Sequence, residues 1–296
     1  MTWRVRQNIM GWLFVAPWLL GLLVFNLAPI VMSFVISLTD WNMLAPMEFV
    51  GLANYEKMLT NDPSVYQSLR VTFVYSVMSV GMQLVVGFWL AVLLNRKLRG
   101  IVLIKTIYYL PSVLSGVAVA MLWFWLFNDD FGLLNYLLRA VGLPRVHWLT
   151  SERWVLFSLA FMSLWGVGRS IIINLAGLQS IPTNLYEAAR IDGAKGLQKH
   201  LAITIPMMSP IIFMNLVMGL IASFQTFTNA YLMTNGGPDG ESLFLMLYIY
   251  FRAFEDFQLG YASALSWLLF MAVLLVTVLV FWTGQYWVYY EARVRS

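Results

Sequence analysis

Gln179-Ser-Ile-Pro182-Thr183-Asn-Leu-Tyr186-Glu187-Ala188-Ala189-Arg190-Ile191-Asp192-Gly193-Ala194-Lys195, continuing to Pro206, is a polar stretch of about 28 residues. It lies between two long apolar runs, near 155–178 and 208–233. That is too long for a simple turn between neighbouring helices. Pro182 followed by Thr183 reads as a helix start, because proline is tolerated in a first turn. The pattern predicts a short helix over 183–191, with Gly193 supplying the backbone freedom to end it. A second short helix is expected over about 195–203, carrying Lys195 and Lys199 on one side, and Pro206 begins the return to the next apolar run. Two short helices joined by a glycine turn make an exposed knob. Ala188 and Ala189 give it a small-sided face that another backbone could approach closely, and Glu187, Arg190 and Asp192 offer charges to orient the partner. The segment therefore reads as a docking element. The alternative is an interfacial helix lying on lipid headgroups, against which its shortness and few large apolar side chains count.

Outward from the knob, the chain becomes lipid-like. Of its 296 residues 60% are hydrophobic and 11% charged, against about 25% charged in a soluble domain. So much apolar surface cannot be hidden inside a protein of this size. Six stretches reach the roughly 20 apolar residues that a helix needs to cross a bilayer core, at about 10–38, 71–94, 106–127, 155–178, 208–233 and 261–288. The expectation is an all-α, polytopic membrane protein of six transmembrane helices. It forms a single transmembrane domain over 1–296, with core spans over about 71–288 and the loop at about 179–206. The first run resembles a signal peptide after Arg4 and Arg6, but it is too long and no small-residue cleavage site follows. It reads as a retained anchor. Cysteine is absent and histidine limited to His147 and His200, which excludes disulfides and Cys-ligated metal sites within the chain.

Orientation follows from the basic residues beside the spans. With the N-terminus in the cytoplasm, the inside segments carry eleven (Arg4, Arg6, Arg96, Lys97, Arg99, Lys105, Arg190, Lys195, Lys199, Arg293, Arg295). The outside segments carry six (Lys57, Arg70, Arg139, Arg145, Arg153, Arg252). Arg169, within a helix, completes the eighteen. Of the acids only Glu187, Asp192 and Glu291 fall inside. Both termini and the knob are thus expected in the cytoplasm, and the net charge of +4 is a topology signal that requires no nucleic acid. Tryptophans near span ends, such as Trp12, Trp18, Trp41, Trp148, Trp154, Trp282 and Trp287, suit the membrane interface.

The knob also carries a resemblance. Glu187-Ala188-Ala189, three residues, Gly193, nine residues, Ile203, one residue and Ile205-Pro206 resemble the E-A-A-x3-G-x9-I-x-L-P loop of binding-protein-dependent importer permeases, with Ile205 in place of leucine. Leu175–Pro182, Leu185–Ala194, Phe49-Val50-Gly51-Leu52-Ala53-Asn54-Tyr55 and Thr234-Asn-Gly-Gly-Pro238 are similar to the sugar branch, the maltose-transporter type. The resemblance covers nearly the whole chain. It implies the type I ABC importer permease fold in a bacterial inner membrane, and residues 183–193 as a coupling helix. Tyr186, Glu187, Ala188, Ala189, Arg190, Asp192 and Gly193 would then meet an ATP-hydrolysing subunit. The implied assembly holds two such subunits, a second homologous permease favouring a heterodimer, and an extracytoplasmic solute-binding protein. Asn235, Gly236, Gly237 and Pro238, a turn-rich segment, resemble the family's contact with that binding protein. The plain alternatives are a simple connection there, or contact through 128–153 with Asp129 and Asp130.

Arg169 falls near mid-bilayer, about nine residues or 14 Å from the expected cytoplasmic edge. A charge there costs at least about 2.5–3.5 kcal/mol unless it faces water or a partner. It is expected to line a central cavity, with Gly166 and Gly168 leaving room beside it. An ion pair with an acid on a neighbouring helix and a snorkel toward the cytoplasm remain alternatives. An arginine departs from what a neutral maltose-like cargo would want, and its planar fork suits carboxylates. The expected cargo is a sugar or oligosaccharide, and the arginine adds the hypothesis of an acidic one, such as a uronate oligomer from alginate or pectin. A neutral oligosaccharide or a glycerol-phosphate-type solute is the alternative. In the fifth run Ser223 and Phe227 lie one helical turn apart, as do Gln225 and Asn229. Ser223 and Phe227 resemble sugar-contacting positions of the family, and all four join Arg169 and Gly166 as candidate cargo contacts. Interhelical hydrogen bonding is the plain reading of such polar side chains. Trp123, Phe124 and Trp125 read as interfacial packing, with a sugar platform as the alternative.

No G-x-x-x-x-G-K-S/T loop is present, so the chain is not expected to hold ATP, a cofactor or an active site of its own. An intramembrane enzyme and an ion-coupled carrier are the competing classes. Both want titratable acids within the spans, and the expected spans contain none.

Overall fold

A computed structural model describes residues 3–96 and 100–289, with side chains from residue 10 onward. The side chains of Arg4, Arg6, Lys97, Arg99, Glu291, Arg293 and Arg295, which entered the orientation count, lie outside the described residues. Among the described residues, four unbroken helical runs are long and apolar enough to cross a membrane: Met10–Ser37, Pro63–Leu94, Gly196–Phe224 and Leu259–Trp287. Two further pairs qualify only together, Ile101–Val113 with Gly116–Leu126 and Glu152–Gly166 with Gly168–Ser180. With each pair counted as one span the total is six.

The bends correct the straight spans expected over 106–127 and 155–178. The third run turns through 100°. Helix Ile101–Tyr109 tightens to a 3-10 turn at Leu110–Val113, and Leu114 and Ser115 are extended before Gly116–Leu126 begins. Pro111 is the cause: it cannot donate to the carbonyl four residues back, and its ring clashes there. The helix also starts earlier than expected, so Lys105 lies within it. The fourth run bends by 53° where a 3-10 turn at Ser163–Gly166 meets Val167 and Gly168. The second span starts at Pro63, so Arg70 is helical as well. A third correction falls on 208–233. That helix ends at Phe224, and Thr228–Met233 is a separate short helix packed against Gly116–Leu126.

The chain divides into two compact units. In the unit formed by residues 1–63 with 249–268, the Phe49–Tyr55 motif closes the end of the first span. A two-residue ribbon pairs Thr39 with Phe49 and Asp40 with Glu48. Asn54 Nδ2 donates to the carbonyls of Ser37 and Thr39, both at 2.9 Å, and Tyr55 Oη meets Ser37 Oγ at 2.7 Å. The bonds satisfy carbonyls that the helix end leaves without partners. Deeper in this unit Trp267 Nε1 donates to Ser33 Oγ (3.2 Å) and packs edge-on against Phe34.

The second unit, residues 64–248 with 269–296, carries the knob and the cavity. Its core gathers Phe88, Ala91, Leu94, Val167, Ile171, Leu175, Leu178, Ile181 and Met208. Apolar burial drives little association inside lipid, so close packing and small residues decide which helices meet. Gly177 shows this: a methyl group there would overlap Ile211 and reach 2.9 Å from Met208 Sδ. The Gly168–Ser180 and Gly196–Phe224 helices touch at that point because no side chain intervenes.

Candidate functional site

The knob forms where the sequence places it. Helix Thr183–Ile191 starts after Pro182 and has the predicted bounds. It ends on Gly193 at φ +76°. Ala194 N–H reaches the Ala189 carbonyl (2.9 Å) and Gly193 N–H the Arg190 carbonyl (3.1 Å), the pair of bonds that a left-handed glycine permits at a helix C-terminus. Glu187, Ala188, Arg190, Asp192 and Gly193 are exposed, whereas Tyr186 and Ala189 are half-buried. The expected second short helix is different. Gly196–Lys199 runs through a π turn at His200–Thr204 directly into Ile205–Phe224. The wide turn lets Ile205 N–H bond the His200 carbonyl, five residues back, just before Pro206. Widening there accommodates a proline that could not continue regular α-helical bonding.

A cavity of about 410 Å³ opens within the same unit. Val80, Gln83 and Leu84 come from one face of the Pro63–Leu94 helix, and Ser112 from the 3-10 turn made by Pro111. The fourth span contributes Gly166, Arg169, Ser170 and Ile173, and the fifth Met214, Asn215, Met218, Gly219 and Ala222. Arg169 occupies the second position of the helix that restarts after the bend. The bend thus precedes a residue that lines the wall. Among the described residues no acid pairs with Arg169 and none lines the cavity. Gln83 Nε2 reaches the carbonyl of Ser163, the first residue of the 3-10 turn, at 3.4 Å. Asn215 Nδ2 donates to Asn174 Oδ1 (3.1 Å), and Asn174 Nδ2 to Ser170 Oγ (3.3 Å). The wall is therefore one guanidinium among carboxamides and hydroxyls on an otherwise apolar surface, an arrangement that can hold an anionic, hydroxyl-rich solute.

Arg169 and Gly166 are brought together here. Ser223, Gln225, Phe227 and Asn229 are not among the lining residues. Their assumed helical spacing fails because the helix stops at Phe224. Ser223 is buried and bonds the Leu220 carbonyl at 2.9 Å. Gln225 is exposed at the break, Phe227 stacks on Tyr231 (centroids 5.4 Å apart), and Asn229 is half-buried in the next helix. Gln83, Ser112, Ser170 and Asn215 were not among the cargo contacts expected from the sequence. Their signal was a polar residue within an apolar run. Trp123 packs against Phe127, Phe161 and Trp165, whereas Phe124 and Trp125 are exposed.

The Asn235–Gly240 segment is firmly held. Asn235 N–H bonds the Ala230 carbonyl (2.7 Å), Ser242 Oγ donates to the Gly237 carbonyl (2.6 Å), and Gln67 Nε2 to the Asp239 carbonyl (2.7 Å). Arg70 pairs with Glu241. Gly236 is buried, Asn235 exposed and Gly237 half-buried. Pro238 and Asp239 share a surface depression of about 610 Å³ with His147, Thr150, Ser151, Glu152 and Arg153. Asp129 and Asp130 are occupied by His147 (2.8 Å) and Arg145 (3.0 Å) respectively.

Comparison with known proteins matches residues 83–296 to the family described as binding-protein-dependent transport system inner membrane component. The chain is similar to the probable ABC transporter permease protein YesP of Bacillus subtilis, 40% identical over 97% of this chain and 94% of the relative. It is 31% identical to the trehalose/maltose transport system permease protein MalF of Thermococcus litoralis, over 96% of each chain. Against the lactose transport system permease protein LacF of Rhizobium radiobacter it is 36% identical, covering 94% and 95%. Its fold is similar to a chain in the crystal structure of a bacterial alginate ABC transporter in complex with alginate pentasaccharide-bound periplasmic protein. That likeness has a TM-score of 0.82 at 22% identity, covering 95% of this chain and 96% of that one. The six-span plan, the knob and the matched family together place this chain among the multi-pass inner membrane permease components of binding-protein-dependent transport systems.

Proposed function

We propose that this permease carries an acidic oligosaccharide, of the uronate kind found in alginate or pectin, and that Arg169 grips a carboxylate of the cargo within the cavity. The observation that carries this reading is the guanidinium on the cavity wall with no acid among the lining residues. The alginate system with a similar fold supports it. Relatives named for trehalose, maltose and lactose favour a second reading, a neutral oligosaccharide. A glycerol-phosphate-type solute would use the same guanidinium. Ser223, Gln225, Phe227 and Asn229 remain candidates only for cargo outside the cavity.

In this reading the knob sits in the cytoplasm with both termini, on one of two ATP-hydrolysing subunits. ATP then drives alternating access by rigid-body motion of helices. A second, homologous permease completes the pathway. Asn235, Gly236, Gly237 and Pro238 meet the solute-binding protein at the other membrane face. The knob precedes and this segment follows the Gly196–Phe224 helix, whose 29 residues span about 43 Å.

Uptake by the reconstituted importer decides between the cargoes. A charge-assisted bond to a carboxylate contributes about 1.5–3 kcal/mol, which is about 10- to 150-fold. Arg169→Gln is expected to lower uptake of trigalacturonate by about that factor and to leave maltotriose uptake unaffected. Unchanged trigalacturonate uptake would refute the role of Arg169. Maltotriose uptake by the parent, with none of trigalacturonate, would establish the neutral reading.

A further inference from the structure

The exposed side of the knob meets a partner in the reading above. Its buried side shows how the knob is held. Tyr186 packs its ring against the core cluster built around Ile171, Leu175 and Met208. Its hydroxyl lies 3.0 Å from Thr204 Oγ1. Thr204 is 1% exposed and closes the π turn. The same Oγ1 lies 3.1 Å from His200 Nδ1 and 3.5 Å from the Lys199 carbonyl. The rings of His200 and Trp89, the latter on the Pro63–Leu94 helix, meet nearly at right angles with centroids 5.8 Å apart. A threonine hydroxyl has one donor and two acceptor sites, so it can accept from Tyr186 while donating onward. One buried oxygen thus joins the knob helix to the π turn.

Farther along, the two helices that carry Arg169 and Asn215 are joined by the Asn215–Asn174 bond at 3.1 Å and touch closely at Gly177. The knob is therefore bonded at one end of a pair of helices that is itself cross-linked near the cavity. An apolar pair would fill the space at Tyr186 and Thr204 but would fix no direction. A hydrogen bond to the buried Thr204 hydroxyl does, and π turns recur at functional positions.

We infer that Thr204 is a positioning residue: with Tyr186 it makes the knob and the Arg169 wall move as one rigid body. The inference rests on the coupling reading of the knob.

The absence of cysteine permits a direct test. Spin labels at Ile191→Cys, on the exposed knob, and Met218→Cys, on the cavity wall, report one distance within the intact reconstituted importer. No cargo is needed. The parent is expected to give a single narrow distance, the same without nucleotide and with a non-hydrolysable ATP analogue. Thr204→Val keeps the volume and removes the hydroxyl. Tyr186→Phe removes only the partner oxygen. Each is expected to raise the population of a second distance in the nucleotide-bound state about two- to tenfold, the equilibrium worth of one hydrogen bond. Thr204→Ser is expected to restore the narrow distribution. Because the two side chains share one bond, the double variant adds little to Thr204→Val. Parental distributions in both Thr204→Val and Tyr186→Phe would overturn the inference. The coupling reading fails separately if the Ile191 label is as accessible to a paramagnetic quencher in the full assembly as in the isolated permease.

Discussion

Gly168 and Gly166 stand two residues apart at the same bend, and the structure gives them opposite tolerances. A methyl group at Gly168 would overlap the Tyr108 carbonyl oxygen and lie 2.9 Å from Tyr109 Cα and 3.0 Å from Tyr108 carbonyl carbon. All three are backbone atoms, so no rotamer change relieves the clash. Carbon atoms rest at about 3.5–4.0 Å, so the Gly168–Ser180 helix must part from the Ile101–Val113 run by about 0.5–1 Å. Such overpacking costs about 1–3 kcal/mol. Alanine gains at most about 1 kcal/mol of helix propensity over glycine in a helix interior, and less at the first helical position, which Gly168 occupies. The clash wins. At Gly166 nothing lies within 4 Å of the added carbon, so alanine there is expected to be neutral. Thermal unfolding of the detergent-solubilised importer, followed by size-exclusion fluorescence, should show Gly168→Ala lowered by about 2–12 °C, taking about 2–4 °C per kcal/mol. Gly166→Ala should match the parent. The same displacement moves Arg169 relative to Ser112, so uptake by Gly168→Ala should weaken as well. Equal midpoints for the two variants, or the reverse order, would refute the close approach on which the cavity wall depends.

Two further predictions concern the knob. Ala188→Trp places a large ring on its exposed small face; the chain should remain folded in the membrane while ATP hydrolysis loses its stimulation by the loaded binding protein. Normal coupling in a well-inserted variant would count against docking through this face. Gly193 has open space around it but a φ of +76°, so only backbone strain opposes a side chain. Gly193→Val should cost about 1–2 kcal/mol of knob stability, and Gly193→Asn distinctly less, read as hydrogen-exchange protection of residues 187–194. Equal protection in the two variants would contradict the left-handed helix end.

The knob was legible because its signals are local. Pro182 opens a helix and Gly193 closes it within the reach of a few hydrogen bonds, and the structure returns the same bounds. The spans were legible for a related reason: lipid offers no partner to a backbone group, so each crossing segment must bond within itself. Its apolar residues then sum along the chain. The bends were harder to read. Pro111 and the Gly166–Gly168 pair were visible, but a proline or glycine inside a span can be absorbed without a 100° or 53° turn. Whether it is depends on what packs alongside. Gln225 to Asn229 misled in the same way, since periodicity presumes a continuous helix and the helix ends at Phe224.

Sequence alone determined that this chain crosses a membrane several times, that it offers a polar knob between its fourth and fifth crossings, and that one arginine interrupts an otherwise apolar run. Only the tertiary structure decided which residues share a wall with that arginine. Gln83, Ser112 and Asn215 lie on three separate segments, and their meeting depends on a proline-broken span and on glycine contacts such as Gly168 against Tyr108. Partition into lipid is a sum over neighbours in the chain, whereas a cavity wall is set by contacts between residues far apart in it.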